Sequence, residues 1–170
     1  LAITATSTKK LDVVLADATG TADVMNISLT STGAINYTTT SDVTIAGVET
    51  INITSTDSDT TAHVNVMTLT ADAATSVTIT GDTGFDMTAT GSAKVTSFDA
   101  SGITLAAVTD TGVTFDSVNT TVGSIVTIKG SNGVDVLTGE DVGHDTITAG
   151  AGADTLVYNG GSDVFTSGAG

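Results

Sequence analysis

The chain has 170 residues, with nineteen acidic side chains against four lysines, a net charge of −15, and no Arg, Pro, Cys or Trp. That charge excludes nucleic acid and anionic membrane surfaces as partners. The missing cysteines exclude disulfide staples, and no apolar run is long enough for membrane insertion. Threonine supplies about a fifth of the chain, and Val, Ile, Ala, Ser, Gly and Asp are prominent. This is a vocabulary of strands and turns, poor in helix formers.

Residues 1–63 read as an irregular β-rich segment. Candidate strands are Asp12–Leu15, Val24–Leu29, Ile35–Thr38, Val43–Ile45 and Thr50–Ile53. Ile27/Leu29 and Ile51/Ile53 alternate with polar residues, the period-two pattern of a half-buried strand. Asp57 and Asp59 open a polar turn. From Val64 a rhythm begins, with strand centres at Val66–Leu69, Val77–Ile79, Asp86–Ala89, Val95–Phe98, Ile103–Leu105, Val113–Phe115 and Ile125–Ile128. Steps of about eight to twelve residues suit the half-turns of a solenoid. Residues 64–129 are therefore an irregular parallel solenoid, continuous with what precedes it.

Residues 130–170 tighten into a strict repeat. Gly133, Gly143, Gly152, Gly161 and Gly170 recur at steps of ten, nine, nine and nine. Two residues after each of the first four stands Asp135, Asp145, Asp154 or Asp163, and two further on Leu137, Ile147, Leu156 or Phe165. This is the nonapeptide G-G-x-G-x-D-x-U-x of a calcium-binding parallel β-roll. Each nonapeptide is a loop followed by a short strand, with the U side chain inward and the aspartate expected outward at the loop end. Successive loops fall on opposite edges, so Asp135 stacks with Asp154 and Asp145 with Asp163, roughly 4.8 Å apart. Carboxylates that close need a cation between them, and carboxylate with carbonyl oxygen is the donor set of Ca²⁺. The expected ligands are these four aspartates and the carbonyls of Gly130, Asn132, Ala149, Ala151 and Gly160. The pattern has departures: Ser131, Glu140, Ala149, Tyr158 and Asn159 replace glycines, and the second repeat carries one extra residue. Gly81-Asp82-Thr83-Gly84-Phe85-Asp86 is a degenerate copy with Thr88 at the U position, and no calcium is expected there.

These repeats resemble the RTX (repeats-in-toxin) superfamily of type I-secreted bacterial proteins. Ala46–Ile53, Thr60–Val64, Val95–Ser101, Asn119–Gly123 and Gly150–Tyr158 are similar to the C-terminal part of Caulobacter-type surface-layer (S-layer) proteins, a likeness running from about Ala18 onward. The resemblance implies an extracellular, calcium-dependent two-dimensional lattice of identical copies. It also implies export by a type I secretion signal beyond Gly170, in a longer protein of which this is a piece. The overall expectation is an all-β, right-handed parallel β-solenoid ending in an RTX β-roll.

Three other functions share some of these features. A polysaccharide-active β-helix enzyme wants clustered cations and a base, whereas Lys9, Lys10, Lys94, Lys129, His63 and His144 are scattered. An ice-binding face is suggested by Thr68/Thr70, Thr78/Thr80 and Thr88/Thr90, but neighbouring half-turns belong to opposite sheets. A calcium-braced adhesin stalk shares every local feature with a lattice module and differs only in how copies associate.

Overall fold

In the computed structural model, residues 1–170 are described except 8, 18, 38–41, 59 and 170. Sixteen strands and no helix are found among the described residues. They are β1 (Ala2–Ile3), β2 (Leu11–Val14), β3 (Val24–Ser31), β4 (Asn36–Tyr37), β5 (Val43–Ala46), β6 (Thr50–Asp57), β7 (Val64–Thr70) and β8 (Ser76–Gly81). There follow β9 (Gly84–Ala89), β10 (Ser97–Ile103), β11 (Thr111–Asp116), β12 (Thr127–Lys129), β13 (Val134–Thr138), β14 (Thr146–Thr148), β15 (Thr155–Val157) and β16 (Val164–Thr166).

The strands form two parallel sheets. One runs β1-β3-β6-β8-β10-β12-β14-β16, and the other β2-β5-β7-β9-β11-β13-β15 with β4 beside β7. From β5 onward the chain visits the two sheets alternately, laying each strand on the one a full turn earlier. This is a right-handed parallel β-solenoid, the hand that parallel crossover connections favour. The ladders pass through residues 63–64 and 129–130 without a break, because β6 pairs with β8 and β10-β12-β14 pair in register.

Register follows the inward side chains. One row is Ile51, Val77, Phe98, Ile128, Ile147 and Phe165. The facing row is Met67, Met87, Phe115, Leu137 and Leu156. Phe98 and Phe115 bridge the sheets, with stacked rings 3.9 Å apart at 4°. A one-residue slip would turn either row outward, so burial sets the register. All these residues are buried except Leu156, which is half-buried, and Phe165, which lies in the last strand with no turn of this chain above it.

Several expected strands differ in extent. Ile103 completes β10, and Leu105 sits in the following loop, so Ile103–Leu105 is not a separate strand. A register shift between Asp99 and Gly102 keeps that longer strand on its neighbour. β12 begins at Thr127, leaving Ile125 exposed before it. β2 is shifted one residue toward the N-terminus, β1 was not anticipated, and Asp57 ends β6 rather than opening a turn. Thr38, Asp59 and Gly170 lie outside the described residues. Thr68 and Thr70 belong to β7, Thr78 and Thr80 to β8, and Thr88 to β9, so the Thr pairs alternate between sheets.

Candidate metal centre

The glycine-rich loops stack as closely as backbones allow. Gly150 has φ +109°, and a Cβ there would overlap the carbonyl oxygen of Ser131 in the loop one turn below. Gly161, at φ +83°, meets the carbonyl of Gly143 in the same way. Left-handed backbone and direct carbonyl contact both demand glycine. The loops before β13 and β15 share one edge, and those before β14 and β16 share the other.

At the first edge Asp135 is wholly buried. Its Oδ1 accepts the Val113 N–H (2.5 Å) and the Ser131 hydroxyl (2.8 Å), and its Oδ2 accepts the Ser131 N–H (2.7 Å). Asp154 repeats the motif one turn on, its Oδ1 taking the Asp135 N–H at 3.0 Å. At the second edge Asp145, also buried, accepts the Val126 N–H on Oδ1 (3.1 Å) and the Glu140 N–H on Oδ2 (2.6 Å). The Asp145 N–H in turn goes to Asp163 Oδ1 at 3.0 Å.

The expected stacks are therefore in place, with separations of 19 residues for Asp135–Asp154 and 18 for Asp145–Asp163. The expected outward pose is not: Asp135 and Asp145 are turned into the roll. The cause is a backbone N–H one turn below, that of Val113 under Asp135 and of Val126 under Asp145. A buried amide without an acceptor is costly, and a carboxylate is a strong acceptor. No three acidic or histidine side chains converge as a metal-binding group among the described residues.

Of the expected carbonyl donors, Gly130 lies against the Ala149 carbonyl, Ala151 N–H donates to Ser131 O, and Gly160 lies against the Asp141 carbonyl. Asn132 has a further role. Its amide clamps Leu105, accepting the Leu105 N–H at 2.7 Å and donating to the Leu105 carbonyl at 3.1 Å. His144 is exposed in its loop.

Two participants were not anticipated as site residues, Ser131 and Glu140. Both stand at glycine positions of the repeat, and that departure was their only signal. Glu140 is 2% exposed, and its Oε1 accepts the Ser124 hydroxyl at 2.9 Å. Its Oε2 is buried without a partner, as is Asp163 Oδ2. Burial pushes the Glu140 carboxyl above the usual range; the Ser124 hydrogen bond opposes this, and the charges of Asp145, Asp141 and Asp163 reinforce it. Asp135 is also raised, first by burial and last by the charge of Asp154, against hydrogen bonds from Ser131 and Val113.

Elsewhere, a groove of about 610 Å³ is lined in part by Asp57, His63, Asp82 and Asp110. Asp82 of the degenerate repeat accepts the Asp57 N–H at 3.1 Å, and His63 Nε2 lies 3.6 Å from Asp57 Oδ2. The glycine-rich edges instead offer an all-oxygen donor set of carboxylates and stacked loop carbonyls, which fits a hard cation of irregular coordination. No family model and no curated protein sequence matches the chain.

Proposed function

We propose that the chain is a non-enzymatic structural module of a secreted bacterial surface layer, braced by Ca²⁺ at its two glycine-rich edges. Copies of it meet in a two-dimensional lattice outside the cell. The observation that carries the calcium reading is the stacking of Asp135 on Asp154 and Asp145 on Asp163, in loops crowded enough to require glycine. Asp135 and Asp154 would hold one ion with carbonyls of Gly130, Asn132, Ala149 and Ala151. Asp145 and Asp163 would hold another with Gly160. Bound Ca²⁺ supplies the positive charge that the stacked carboxylates lack. The lattice reading rests on the resemblance to S-layer sequences and on the acidic surface, which divalent ions can bridge between copies.

Export fits this chemistry. Inside a cell calcium is scarce, and acidic repulsion and glycine entropy oppose the roll. Outside, a site with Kd ~10⁻⁴ M is filled at near-millimolar calcium. Folding then follows passage through a type I secretion system.

The test is electron microscopy of the purified chain in millimolar calcium and in EGTA. Ordered sheets in calcium that disperse in EGTA support the lattice. Monodisperse rods in both make the adhesin-stalk reading the better one.

A further inference from the structure

The two edges are not equivalent. Ser131 N–H and Glu140 N–H make the same bond, each to Oδ2 of the aspartate in its own loop, at 2.7 and 2.6 Å. Ser131 and Glu140 thus occupy the same place in their repeats. The short Ser131 side chain turns back onto Asp135 Oδ1, and no oxygen of Ser131 or Asp135 is left unpartnered. An ionised glutamate has no hydrogen to donate. Glu140 reaches Ser124 with Oε1 and leaves Oε2 buried and unpartnered. Both oxygens of Asp145 are already engaged by backbone N–H groups, while Asp163 Oδ2, one turn on, is buried and unpartnered too.

We propose that Glu140 is a cation-binding carboxylate added to the repeat pattern. On this edge a calcium ion takes Glu140 Oε2 and Asp163 Oδ2, with loop carbonyls completing the oxygen shell, and Asp145 braces the backbone instead of leading the coordination. The inference rests on the calcium reading above and revises it at this edge, where Glu140 takes the place given there to Asp145. Its ground is the cost of a buried, unpartnered carboxylate oxygen among other carboxylates. Asp145, Asp141 and Asp163 all act on Glu140 with like charge. Lys129 is paired with Asp99 at 2.9 Å. Gly143 makes room for the glutamate, since a Cβ there would overlap Glu140 Oε1 and the Ser124 carbonyl. Oxygen donors alone, in an irregular loop one residue longer than its neighbours, suit calcium better than the strict octahedron of magnesium.

Calorimetric titration of the whole chain with Ca²⁺ tests this, using wild type, E140Q, D163N and D154N, with melting curves in EGTA and in calcium. E140S, which copies Ser131, guards against a defect peculiar to glutamine. E140Q, E140S and D163N are expected to lose one ion or to weaken its binding about tenfold or more, while keeping the ion that D154N removes. E140Q should melt no lower than wild type in EGTA and gain less from calcium. If E140Q and E140S keep wild-type stoichiometry and affinity while D154N loses an ion, Glu140 carries a proton and the inference is overturned with the calcium reading intact. If wild type binds no calcium, the calcium reading itself falls, and this inference with it.

Discussion

At the scale of single residues, the edge aspartates act first as backbone acceptors. Asp135 takes three hydrogen bonds in a buried site. Asp135→Ala would leave the Val113 and Ser131 N–H groups without an acceptor, and unsatisfied buried donors cost about 1–3 kcal/mol each. We expect a loss of about 2–4 kcal/mol in urea unfolding with EGTA present; an unchanged midpoint there would mean the carboxylate serves only a metal. Lys129→Ala gives the contrast. Its ammonium meets Asp99 at 2.9 Å, but both side chains are substantially exposed. Its removal should barely move the unfolding midpoint, and any difference should vanish in high salt.

At the scale of elements, each half-turn depends on a glycine loop below and an apolar plug inside. Gly150→Ala forces a side chain into left-handed backbone and onto the Ser131 carbonyl. The loop would have to move, opening the edge between β13 and β15, and protease nicking in 149–152 should rise even with calcium. Phe115 is fully buried and stacked on Phe98. Phe115→Ala should destabilise by roughly 3–5 kcal/mol through lost burial and a cavity between the sheets. A smaller loss in chemical denaturation would mean the two sheets can close over the gap.

At the scale of the whole molecule, acid groups decide how stability responds to pH. Asp135, Glu140, Asp86 and Asp116 are all raised above their ordinary values, with burial the largest cause in each. A carboxyl whose folded pKa is raised stabilises fully below its unfolded value and loses that contribution as pH rises through the folded one. In EGTA the melting temperature should therefore fall as pH rises from just above the unfolded carboxylate values of 3.8 and 4.5 toward neutrality. Asp99, lowered by Ser101 and Lys129 against its own desolvation, works oppositely and loses its contribution as pH falls. In this window that contribution is already complete. If the proposed sites bind calcium, the ion at tenfold over Kd would add about 1.4 kcal/mol per site and flatten the fall. A profile in EGTA that rises toward neutral pH would contradict the burial of these carboxyls.

The nonapeptide spacing by itself determined the parallel half-turns of residues 130–169, the inward row of Leu137, Ile147, Leu156 and Phe165, and the pairing of alternate loops. A fixed period places chemically equal residues one above another, whatever their environment. The irregular turns were legible only as strand centres. Their stacked positions are separated by 26, 21 and 30 residues, and only packing reveals which strand lies on which. Tertiary structure alone decided where the carboxylates point. Asp135 and Asp145 turn inward because amides of Val113 and Val126, 22 and 19 residues earlier, come to lie beneath them without other acceptors. It also decided that Glu140, in sequence only a glycine replaced, is buried with one oxygen engaged and one free of any partner. Local spacing sets which residues share an edge, but the hydrogen-bonding needs of the neighbouring turn set what each of them does there.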